Sequence, residues 1–263
     1  MFLGLKVITT LSYVTMVVVN ALANALPING VGTGDVSDSY PDLFAPAGLT
    51  FAIWGLIYLM LGAYIVYQLG FLGTSRKLYE RPAWRKVAVL FTISSFANAL
   101  WVFAWHYDFI GVSLGLMVVI LACLIAIMEN LRSEDTWLKL PFSVYFGWIT
   151  VATIANVTTW LVSIGWQGLG ISEAAWTVIV LVVGLLISIA TMISHRDSPY
   201  GLVIIWAYAG IAIKHMAAGG FAWAYPSIIT TVAISILVLI GAQAYLYRLR
   251  GSRRGSDSVI SSL

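Results

Sequence analysis

Tyr145, Trp148, Ala152 and Asn156 fall on one side of any helix that contains them, because residues three and four apart are neighbours on a helix face. The stretch around them, YFGWITVATIANVTTW, is otherwise fit for hydrocarbon. An Asn side chain brings donors and an acceptor that lipid cannot satisfy, so it needs a partner. Two other segments repeat the pattern: Asn98 and Trp101, extended by Ser94 and Trp105, and Trp54, Tyr58 and Gly62 at a spacing of four. The chemistry on offer is non-covalent. Rings stack on a flat, mostly apolar ligand while a few polar groups orient it. The same residue types also join helices, Asn and Thr by hydrogen bonds and Gly and Ala by close approach. Whether Asn156 meets Asn98 or a ligand is open at this point.

Other chemistries find little support. His106, His195 and His215 lie on different linkers or helix ends and show no metal-ligand spacing. There is no Gly-rich phosphate loop and no nucleophile triad, so no catalytic residue is assigned and no cofactor is required. Cys123 is the single cysteine, which excludes an intramolecular disulfide. Lys214 and His215 follow an apolar run near the outer end of a span, where Lys214 is expected to snorkel to the interface. A retinal Schiff base on Lys214 is rejected, because no Asp or Glu lies deep in any span as its counter-ion.

The elements that carry these faces follow from composition. The chain is 60% hydrophobic and 10% charged, far below the roughly 25% charge of a soluble domain, which makes it a polytopic membrane protein. Its formal charge of +3 does not point to nucleic acid. About 20 apolar residues span the bilayer core. Such stretches lie near 5–26, 48–70, 86–106, 110–129, 138–164, 173–194, 200–218 and 226–247, which gives an all-α bundle of about eight helices. Basic residues gather in alternate linkers: Arg76, Lys77, Arg81, Arg85 and Lys86, then Arg132 and Lys139, then His195 and Arg196, then Arg248, Arg250, Arg253 and Arg254. By the positive-inside rule that side and both termini are cytoplasmic, in an integral protein of the plasma (inner) membrane. Lys6, an apolar run and Ala23-Asn24-Ala25 also resemble a cleavable signal, but the run is longer than a usual signal core, which favours a retained helix. Trp84, Trp137, Trp166, Trp176 and Trp223 fall near helix ends and suit an interfacial aromatic belt. The long connection 27–47, with Pro27, Gly30, Gly32, Gly34, Pro41 and Pro46, should not be helical throughout and reads either as a lid over an outward-facing cavity or as a linker. The Ser-rich segment 249–263 is expected to be a disordered tail.

The segment Trp54-Gly-Leu-Ile-Tyr58-Leu-Met-Leu-Gly62, the pair Asn98 and Trp101, and the series Tyr145, Trp148, Ala152, Thr153, Asn156, Trp160 resemble the second, third and fifth helices of the TspO/MBR family, the tryptophan-rich sensory or translocator proteins. The resemblance covers roughly 1–165, so the three helices over 166–248 stand as additions. Departures are Ala45-Pro46 for a double proline, Ala52 and Val144 for two further prolines, and no counterpart in GVSLGLMVVILA of the acidic residue that many members carry in the fourth helix. The resemblance implies a five-helix bundle whose cavity takes porphyrins or other apolar ligands such as sterols, closed by the first loop. It implies Trp54, Tyr58, Asn98, Trp101, Tyr145, Trp148, Ala152 and Asn156 as cavity residues. The expected function is binding or sensing of a porphyrin or similar tetrapyrrole ligand, with transport as an extension. Transport of an unrelated solute and light-dependent porphyrin degradation are the alternatives. Expected partners are the lipid bilayer and the hydrophobic small molecule, with a homodimer as one assembly such a bundle can form.

Overall fold

The computed structural model describes residues 2–26, 28–71, 78, 80–134 and 136–260. Eight long helices carry the fold: α1 (Phe2–Ala25), α2 (Ile53–Leu69), α3 (Pro82–His106), α4 (Ile110–Asn130), α5 (Thr136–Ser163), α6 (Glu173–His195), α7 (Ser198–Met216) and α8 (Pro226–Ile260). Their ends follow local chemistry. Pro82 opens α3, where its missing N–H costs nothing. Ser172 caps α6 by accepting from the Ala175 amide at 3.3 Å, and Asp197 caps α7 by accepting from Tyr200 at 3.2 Å. Gly70 ends α2 at a φ of 99°, a left-handed conformation that glycine adopts without strain.

Seven of the helices among the described residues, α1 to α6 and α8, are long and apolar enough to cross a membrane. α7 carries Lys214 and His215 in its last turn and is enclosed by protein on more than one side, lying against α5, α6 and α8. Gly147 lets α5 and α7 approach closely, since a Cβ there would sit 2.9 Å from the Val203 Cβ and 3.0 Å from the Tyr200 carbonyl. α3 is the centre of the other half and packs against α1 and α4, while α5 packs against α2, α4 and α7.

The two ends of the bundle differ in chemistry. At one end Arg81 donates to Glu134 at 2.8 Å, and Glu129 lies 3.1 Å from Arg132 and 3.5 Å from His195, which joins three linkers that carry basic residues. Pro27, Arg76 and Lys77 lie outside the described residues. At the other end lies the connection from α1 to α2, a chain of short pieces: a 3-10 turn at Ile28–Gly30, a two-turn helix at Thr33–Ser39 and a 3-10 turn at Gly48–Ala52. This segment is well tied. Asn29 donates to the His106 carbonyl at 2.9 Å, and Trp105 donates to the Thr33 carbonyl at 3.0 Å. Asp42 turns its Oδ1 onto the amides of Phe44 and Ala45, both at 2.8 Å.

Three expectations change. Trp84 is fully buried and stacks on Tyr64 with ring centroids 5.9 Å apart, because its place in the first turn of α3 turns it toward α2 and not toward the interface. Lys214 does not simply snorkel but pairs with Asp38 at 2.9 Å, since the α1–α2 connection brings a carboxylate within its reach. The backbone of α8 stays helical through Ile260, past the start of the expected disordered tail at 249, because extending an existing helix avoids the cost of a new nucleus. Residues 261–263 lie outside the described residues.

Candidate ligand-binding site

Trp54, in the first turn of α2, is the hub of an aromatic cluster. Its ring stacks on Tyr58 at 5.6 Å, lies tilted to Trp101 at 6.2 Å, and meets Tyr145 and Trp148 edge-on, each at 6.1 Å. Phe51 meets Trp148 at 5.8 Å, and Trp101 stacks on Trp105 at 5.7 Å. These offset and edge-on arrangements are the ones ring quadrupoles favour. Three helices that are far apart in sequence thus present rings to one interior.

Two cavities adjoin this cluster. The larger, about 540 Å³, is walled by Val17, Asn20, Ala21 and Asn24 of α1, by Thr33, Gly34, Gly48, Phe51 and Ala52 of the α1–α2 connection, and by Trp54, Gly55, Tyr58 and Trp101. The smaller, about 40 Å³, lies among Trp148, Ala152, Ala155, Asn156 and Thr159 of α5, with Trp105, Ser37 and Pro46. Thr33, Phe51, Trp54 and Trp101 belong to both, so these four residues form the partition. Among the described residues, no carboxylate, imidazole, ammonium or guanidinium group lines either space. Ala21, Gly48 and Gly55 on the rim of the larger cavity are exposed, between the exposed apolar side chains of Val18, Leu22, Leu56 and Leu59. The mouth therefore opens among outward-facing apolar side chains.

The asparagines resolve into two separate networks. Asn98, with no exposed surface, accepts from the Asn20 amide at 2.7 Å and donates to the Tyr145 hydroxyl at 3.1 Å, which ties α1, α3 and α5 together. Asn156 accepts from the Trp101 indole at 3.3 Å and from Ser113 at 3.0 Å, which ties α3, α4 and α5. The two amides are not paired with each other by any of these bonds. Each network takes polar groups that hydrocarbon would leave unsatisfied and closes them within the protein.

Of the eight expected cavity residues, Trp54 and Trp101 line both spaces, Tyr58 lines the larger, and Trp148, Ala152 and Asn156 line the smaller. Asn98 and Tyr145 line neither and sit behind the rings as a brace. The Tyr58 hydroxyl and the Trp148 indole N–H are buried with no partner among the described residues. Both belong to residues that line a cavity, and leaving such groups unpaired is costly unless a guest or water satisfies them. Asn20, Asn24, Thr33 and Phe51 also wall the larger space, although sequence spacing alone did not single them out. Asn20 and Asn24 were detectable as amides four apart in an apolar helix, a signal hidden by the resemblance of Ala23-Asn24-Ala25 to a cleavage site.

A family model described as TSPO-like protein matches residues 6–245. No significant match is found among the curated proteins or the solved structures. The matched region includes α6, α7 and most of α8, so the helices that sequence inspection sets apart as additions lie inside the family's own span. From the first helix to the last, through every segment that walls the two cavities, the chain belongs to the TSPO-like protein family.

Proposed function

We propose that this integral membrane protein binds a flat, largely apolar ligand in the larger cavity, with a porphyrin as the reference case. The observation that carries the reading is an aromatic wall of Phe51, Trp54, Tyr58 and Trp101 facing an amide pair, Asn20 and Asn24, across about 540 Å³. A cavity of that volume suits a drug-sized or larger polycyclic guest, and rings opposed to a few polar groups are the usual design of such sites. The lack of charged groups in the lining favours a guest whose inserted part is uncharged, with any carboxylates left at the mouth. A mouth flanked by lipid-facing side chains supports entry from the bilayer. The Tyr58 hydroxyl offers the guest a hydrogen bond that the protein does not itself supply. The clustering of basic linkers at the end opposite the mouth supports an orientation with that end in the cytoplasm.

Titration of the purified protein with protoporphyrin, followed by Soret absorbance and tryptophan fluorescence, tests the reading. Saturable quenching that weakens in Trp101→Phe and Tyr58→Phe is expected. The absence of any saturable change in the wild-type protein would sink it.

A further inference from the structure

Among the described residues, none beyond Thr159 lines either cavity, yet α7 reaches the segment that covers them at four points. Trp206, Gly210 and Lys214 recur every four residues on α7 and so share a face, with His215 beside the last of them. The Trp206 indole donates to the Thr50 carbonyl at 3.0 Å. The Gly210 carbonyl accepts from the Ala47 amide at 3.0 Å. Lys214 pairs with Asp38 at 2.9 Å, and the fully buried His215 ring lies 2.9 Å from the Leu43 carbonyl through its Nε2. The backbone of α7 comes so close at Gly210 that a Cβ there would collide with the Thr50 Oγ1 and lie 2.9 Å from the Thr50 Cβ. Ala47 and Thr50 flank or belong to the 3-10 turn Gly48–Ala52, whose Gly48, Phe51 and Ala52 are cavity wall.

We propose that α7 is the anchor of the covering segment, and that Trp206, Gly210, Lys214 and His215 are positioning residues that hold residues 38–52 closed over a cavity they do not touch. The contacts are spread from Asp38 to Thr50, with Trp206 on Thr50, Gly210 on Ala47 and the adjacent Lys214 and His215 on Asp38 and Leu43, so the cover is fastened along its length and not at one point. Three of the four are to main-chain groups of the cover and therefore fix its path whatever its side chains do. Through this fastening α7 sets how far the Gly48 side of the mouth moves. The link to guest exchange rests on the ligand-binding reading above; the anchoring does not.

Amide hydrogen exchange of the full-length, ligand-free protein in lipid nanodiscs tests the anchor. Gly210→Val should raise exchange across residues 38–52 by about tenfold, the effect of one overpacked contact on a local opening, with α2, α3 and α5 unchanged. The double variant Gly210→Val with Thr50→Gly should recover part of the protection, because the atoms that a new side chain meets are those of Thr50. Unchanged exchange in 38–52 would overturn the proposal, as would a loss of protection spread evenly over all helices. In the same variants protoporphyrin should dissociate faster while retaining its bound Soret spectrum; an unaltered dissociation rate from a protein whose cover has loosened would refute control of the mouth. Failure of protoporphyrin to bind even the wild-type protein would instead count against the proposed ligand, leaving the anchor supported by exchange.

Discussion

Trp54 is held on the cavity floor by contact with four other rings, whereas the cover above it adds, to its buried Leu43 and Phe44 side chains and the Phe51 ring on Trp148, a set of hydrogen bonds and one ion pair to α7. Ring contact is weakly directional and tolerates the sliding of a guest across it. Hydrogen bonds to main-chain groups are directional and form or break as discrete contacts. The floor is thus fixed by many small contacts, and the cover additionally by a few discrete ones.

The comparison can be broken most sharply at the floor. Trp54→Ala removes the hub of the aromatic cluster and should lower stability by about 3–5 kcal/mol, read as a large fall in the thermal midpoint in detergent. A shift no greater than that of a surface variant would mean the rings do not form a common core. Behind the floor, Asn98→Leu removes the acceptor of one Asn20 amide N–H and the donor to the Tyr145 hydroxyl, and should cost about 1–3 kcal/mol by the same measurement. Adding Asn20→Leu should recover part of that loss, as expected for a shared network.

At the cover the effects are smaller and depend on conditions. Burial pushes the Asp42 carboxyl up to about 6, against the opposing pull of the Phe44 and Ala45 amides and of Lys214, while Glu173 raises it further. A carboxyl whose pKa is higher folded than unfolded adds stability below its ordinary value of 3.8, and that contribution is lost as pH rises through about 6. Exchange in residues 38–52 should therefore quicken between about pH 4 and pH 7 beyond the intrinsic chemical trend, and Asp42→Asn should flatten the excess. The Lys214 ion pair comes last. With the Asp38 side chain 70% exposed, Lys214→Met should cost less than about 1 kcal/mol, and the difference from wild type should shrink in high salt.

The sequence makes the floor more legible than the cover, for a physical reason. Trp54, Trp101 and Trp148 announce themselves because rings and amides at helical spacing stand out in an apolar run, and helices pack faces whose periodicity is local. The spans are legible on the same grounds, since bilayer thickness fixes their length. Trp84 misleads because position near a helix end says nothing of which way the side chain turns; only the Tyr64 ring across the bundle decides that. The bond between Trp206 and Thr50 joins residues 156 positions apart and leaves no trace in the local pattern of either. Lys214 and His215 are visible as anomalies in an apolar span, but their partners Asp38 and Leu43 become apparent only once α7 stands beside the α1–α2 connection.

Phe51, Trp54 and Trp101 divide the interior into a large chamber and a small one. A partition made of side chains is an adjustable wall: its position depends on a few torsion angles and its presence on one or two residues. Replacing Phe51 by alanine would open the large chamber toward Trp148 and Asn156 without touching the Asn98 brace. The depth of the interior is therefore a property that a single codon can change.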